Sequence, residues 1–98
     1  MKRLLLTLIL SLVIAHTAYG EDICKRYANM AENFMRIRQQ GTPESKAMAE
    51  ARATVNPAIV ALMGAAYQIS IASTEKAKLM TIIKFGNAAY IDCIEFMK

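Results

Sequence analysis

The residues whose chemistry asks for explanation first are Cys24 and Cys93, the only two cysteines in the chain. They are not a C-x-x-C redox pair, and two cysteines alone do not make a thiolate metal site. The single histidine, His16, lies in the apolar N-terminal run. Without that run no imidazole remains, which removes Ser-His-Asp and Cys-His dyads. It also removes His-based zinc and haem ligation. The four glycines are isolated, so no phosphate-cradling loop is present. Asp92 and Glu95 fall on the outer side of the last expected helix, and Glu32, Glu44 and Glu50 are spread over two others. Two-carboxylate hydrolysis needs acids that face each other across a cleft. These acids read as solvated surface charges. No catalytic residue, metal ligand or cofactor site is expected, and the composition points away from an enzyme.

The elements that position the cysteines begin after residue 20. Lys2 and Arg3 make a short positive start, and Leu4 to Ala15 is apolar apart from Thr7 and Ser11. Ala18-Tyr19-Gly20 then sets small residues three and one before a cut, the pattern of a secretory leader. Residues 1–20 are expected to be a signal peptide cleaved after Gly20, and residues 21–98 a single domain in the periplasm or outside the cell. The competing reading is an uncleaved anchor, but the apolar core is short against the roughly 20 residues a span needs. No lipobox precedes Cys24.

An even cysteine count in a short exported chain implies a disulfide. Only one intrachain pairing exists, Cys24 with Cys93. The full chain carries a formal charge of +4 from 12 Lys/Arg and 8 Asp/Glu. Removing Lys2 and Arg3 leaves ten against eight, a net of +2. These charges are interspersed, and nucleic-acid binding needs a clustered basic face. No nucleic-acid partner is expected.

The apolar periodicity predicts four helices. The first runs from about Ile23 to Gln40, with Asp22 as N-cap and Gly41 at the C′ position. At 100° per residue, Ile23, Cys24, Tyr27, Ala28, Ala31, Phe34 and Met35 share one face. Thr42-Pro43-Glu44 is a start signal, with Thr42 at the N-cap and Pro43 in the first turn, for an alanine-rich second helix to about Thr54. Asn56-Pro57 repeats that signal for a third helix to about Gln68.

This third helix is the apolar heart of an uncharged stretch from Ala53 to Thr74. A helix that is apolar on every side must be covered on every side, in a bundle or in a membrane. Its strongly apolar part is too short for a span, so a central bundle helix is expected. Gln68 to Ala72 reads as a connector. Ser73 or Thr74 caps a fourth helix reaching about Met97. On that helix Leu79, Ile82, Ile83, Gly86, Ala89, Tyr90, Cys93, Phe96 and Met97 form one broad face, expected to point inward. The fold class is therefore all-α, a small four-helix bundle closed by one disulfide between the first and last helices.

Arg38 breaks the pattern, because its angle falls inside the apolar stripe of the first helix. Either its stem snorkels out or its guanidinium is held by a specific partner. With the cysteines paired and the helices antiparallel, Arg38 comes within a turn of Glu75, the expected partner. Glu50 and the connector carbonyls between Gln68 and Ala72 are the alternatives.

Several segments occur together: Cys24, Arg36-Ile37-Arg38-Gln39-Gln40-Gly41-Thr42-Pro43, Ala66-Tyr67, Ser73-Thr74-Glu75, Phe85 with Asn87, and Tyr90-Ile91-Asp92-Cys93. In this order they resemble a loose group of small exported two-cysteine helical proteins of proteobacteria and their phages. In that group an Arg-Gln-x-Gly helix end follows an early cysteine, and a Phe…Tyr…Cys helix closes the chain. The resemblance covers residues 21–98 and implies a bacterial envelope or phage setting. It implies no activity and no functional residue.

The function expected is contact with another protein of the envelope, as an inhibitor or accessory factor. A phage-encoded form would exclude superinfection or restrain a lytic enzyme. The alternatives are a periplasmic stress chaperone, with the methionines as adaptable contacts, and a membrane-active peptide, which the low net charge disfavours. Met30, Ile37, Met80 and Ile91 lie at the edges of helical faces, and their clustering in one patch would favour the first reading. Neither the partner nor the oligomeric state follows from the sequence.

Overall fold

The most extensive contact in the molecule is between α1 (Lys2–Gln39) and α4 (Glu75–Met97). The computed structural model describes the backbone of residues 2–98 and the side chains of residues 20–98. Cys24 and Cys93 are joined by a disulfide, with their Cα atoms 5.5 Å apart. The two helices run antiparallel from that point. Glu32 lies over Gly86, and Met35 packs with Ile82 further along; Gly20 packs on Met97 in the other direction. Because both helices rise about 1.5 Å per residue, one cross-link sets the register along the whole pair. By chain entropy, closing a loop with a sequence separation of 69 is worth about 4 kcal/mol.

The other two helices lie on one side of this pair. α3 (Pro57–Tyr67) packs against α1, and α2 (Glu44–Ala53) packs against α3. Asn56 caps α3, its side chain accepting from the Ala58 N–H at 2.9 Å. Thr74 caps α4 by accepting from Ala77 at 3.1 Å. Gly41 takes φ +84° after α1, a conformation open to glycine at little cost. The core has three patches. Ala31, Leu62 and Ala89 meet under Tyr27, Met30, Phe34 and Phe85. Met35, Ala66 and Ile82 form the second, and Ala47, Ala51 and Met63 the third, between α2 and α3.

The class is all-α with four helices among the described residues, as the periodicity predicts. Several boundaries differ. α1 does not begin at Ile23 but runs unbroken from Lys2, because nothing between Gly20 and Glu21 stops a helix. Asp22 is therefore no N-cap; it pairs with Arg26 one turn on, at 3.6 Å. The expected signal peptide, residues 1–20, has its side chains up to Tyr19 outside the described residues. α2 starts one residue later than expected: Pro43 is its N-cap and no side chain caps it. Thr42 instead offers its carbonyl to Tyr67.

The uncharged third helix is not covered all round. Leu62, Met63 and Ala66 are buried, whereas Ala58, Ala61 and Ala65 face outward. Alanine exposes so little apolar surface that this face needs no cover. Among the described residues no helix is long and apolar enough to cross a membrane.

Candidate interaction surface

Arg38 and Glu75 do not meet. Glu75 is 94% exposed and pairs with Lys78 on its own helix at 3.4 Å. Arg38 turns toward the α3–α4 connector, where its Nε donates to the Ile69 carbonyl at 2.9 Å. Its guanidinium also stacks over Tyr67, 5.1 Å from the ring centroid. The reason is proximity: α3 ends beside α1, so the freed carbonyls of the connector arrive within reach of an arginine fork.

The neighbouring Gln39 is the residue that periodicity missed. It is nearly fully buried. Its Oε1 accepts from Ala72 N–H at 2.8 Å, and its Nε2 donates to the Ser70 carbonyl at 3.1 Å and to the Met35 sulfur at 3.4 Å. Tyr67 closes the cluster by donating its hydroxyl to the Thr42 carbonyl at 2.6 Å. Burial raises the Tyr67 pKa above the ordinary tyrosine value; Arg38 lowers it in part and Glu44 raises it. Tyr27 is also raised, first by burial and then by the nearby Asp92. The cluster staples an irregular segment to two helix ends. The Gln39 amide and the Tyr67 hydroxyl spend their donors on backbone carbonyls and sulfur, which marks the cluster as structural.

Elsewhere the chemistry is sparse. Among the described residues no group of three His, Cys, Asp or Glu comes together to hold a metal ion. An open groove between the end of α1 and the start of α4 is lined by Arg36, Gln40, Glu75, Lys78 and Leu79. Its charges are of both signs and spread along the rim.

The distinctive surface is on α4. The broad face expected to point inward is only partly covered. Ile82, Gly86 and Ala89 are buried, but Leu79, Ile83 and Phe96 are exposed. Position on the helix explains this. α1 covers the line through Ile82, Gly86 and Cys93. α3 covers the flank of Phe85 and Ala89. Among the described residues nothing covers the opposite flank, where Met80 (48% exposed), Ile83 (45%) and Ile91 (59%) lie beside half-buried Tyr90 and Ile94. Spacings of three, four and seven place these side chains on one strip of helix. Of the four edge residues, Met30 and Ile37 pack against the core and Met80 and Ile91 join this strip.

No family model, no curated protein and no solved structure matches this chain.

Proposed function

We propose that this is an exported, non-enzymatic protein that acts by binding another protein in the bacterial envelope, through the outer strip of α4. One observation carries the reading: an apolar strip lies uncovered along a helix that a disulfide fixes in place. A helix already held in place loses little backbone entropy on binding, so such a strip makes an effective contact surface. The leader-like start supports export, and export supplies the oxidising compartment that the disulfide needs. The resemblance to small exported proteins of proteobacteria and their phages agrees with an inhibitor or accessory factor. The chaperone alternative is less well supported. Met35 and Met63 are buried in the core, and Met80 is the one methionine among the exposed large hydrophobics of the described residues, so the broad adaptable methionine surface that such a protein would present is missing there.

The test is capture from an envelope extract by the immobilised, oxidised protein, set beside an Ile83→Lys variant and read by mass spectrometry. The expected result is a protein retained by the wild type and lost with the variant. Equal capture by both would overturn the α4 assignment. Confinement of the expressed protein to the cytosol would overturn the envelope setting.

A further inference from the structure

We propose that the uncovered face of the α1/α4 pair binds a second copy of this chain, antiparallel and related by a two-fold axis. This rests on the reading of the α4 strip as a contact surface and names what covers it when no envelope partner is bound.

Two independent patterns point to a second copy. On α4, Met80, Ile83, Asn87, Tyr90 and Ile94 alternate at spacings of three and four, the seam of a two-helix coiled coil. In an antiparallel pair each residue of one half of the seam faces one of the other half. Ile83 then meets Ile94 of the second copy, and Asn87 meets Tyr90. The one polar side chain in the seam therefore lies opposite the one hydroxyl that can satisfy it, twice over by symmetry.

The second pattern is on α1. The register that pairs Cys24 with Cys93 and Glu32 with Gly86 places Ala28 and Asn29 beside the same axis. Along the flank of α1 turned away from α3, the charged residues on either side are Glu21 and Lys25, then Glu32 and Arg36. Reversed about Ala28–Asn29, this row matches itself with opposite signs. Lys25 meets Glu32 of the second copy, and Glu21 meets Arg36. Within one chain these residues are spaced for intrahelical pairs, as Asp22 and Arg26 are. Among the described residues of α1 only Asp22–Arg26 closes, at 3.6 Å. A small residue at the axis lets the two α1 helices approach. Heptad seam and charge row locate the same axis from different helices, and the result is a four-helix bundle in which one α1/α4 pair stacks face to face on the other.

The test is sedimentation equilibrium on the protein purified with its disulfide intact, at up to about 100 μM, a range that reaches micromolar dissociation constants. Twice the chain mass is expected. Ile83→Lys, at an exposed position, is expected to weaken dimerisation at least about tenfold with an unchanged helical circular dichroism spectrum. Lys25→Glu and Glu32→Lys should each weaken it, and mixing the two variants should restore it, because both cross-pairs then have opposite signs. In a parallel dimer each single variant would still set like against like, so neither would change the affinity. A monomer throughout the range, or a dimer indifferent to Ile83→Lys or to the charge variants, overturns the inference. A monomer that still captures an envelope protein through the strip would leave the proposed function standing. A dimer with no strip-dependent capture would do the reverse.

Discussion

Arg38 and Tyr67 are stacked, the guanidinium carbon 5.1 Å from the ring centroid, and the arginine reaches past the ring to the Ile69 carbonyl. The stack joins the end of α1 to the end of α3 without an acid. A double-mutant cycle on Arg38→Ala and Tyr67→Ala should show coupling of about 0.5–1 kcal/mol. The same cycle on Arg38 and Glu75 should be additive. Arg38→Ala alone should lower stability by about 1–2 kcal/mol in urea denaturation, from a lost charge-assisted hydrogen bond and lost stacking. Coupling to Glu75 of comparable size would contradict this geometry.

Gln39 should be costlier than its exposed neighbours. Substitution by alanine leaves the Ala72 N–H and the Ser70 carbonyl without their partner, at a cost of about 1–3 kcal/mol. Gln39→Glu keeps the acceptor for Ala72 but loses the donor to Ser70, and it buries a carboxylate. It should be at least as destabilising as alanine at pH 7 and recover in part as acid protonates the new carboxyl. Gln40→Ala, at an exposed position, should change stability by less than about 0.5 kcal/mol. Thermal melts of the three variants decide this.

Stability should fall in alkali. Tyr27 and Tyr67 both have folded pKa values raised above the ordinary 10.0. A raised pKa means that the fold holds the phenol proton more tightly than the unfolded chain does. The resulting stabilisation is fully present below pH 10 and is lost as pH rises through the folded values. For Tyr67 the lost proton also breaks the 2.6 Å bond to the Thr42 carbonyl. Tyr67→Phe should be destabilised at neutral pH and show a shallower alkaline decline. Urea titrations between pH 8 and 11 measure both.

Val55 is a position where a substitution should stabilise. It follows α2 at φ 57°, where a β-branched residue is strained, and it is 87% exposed. A left-handed conformation costs an L-residue about 1–2 kcal/mol, while asparagine and glycine tolerate it. Val55→Asn should raise stability by about 1 kcal/mol. A lower melting temperature would mean that the exposed isopropyl group has an intramolecular role the strain argument omits.

Four helices, the start signals at Asn56-Pro57 and Ser73-Thr74-Glu75, the turn at Gly41 and the pairing of the two cysteines follow from the residues alone. These are local or counting properties: a cap needs only its own turn, and two cysteines allow one bridge. Periodicity also identified which residues of α1 are apolar-facing, because α1 has a narrow stripe with charges opposite.

Periodicity did not distinguish covered from uncovered apolar surface on α4. Leu79 and Ile83 have the same side-chain type as Ile82, and only the side on which α3 settled separates them. Nor did it find Gln39, whose backbone partners lie more than thirty residues away on a connector with no pattern of its own. The partner of Arg38 depended on the same placement. An arginine beside helix carbonyls and one beside a carboxylate look alike in sequence, because the choice between them lies in how α3 ends against α1. Tertiary packing decided these points, since each depends on which helix covers which flank, and a periodic pattern carries no information about its neighbours.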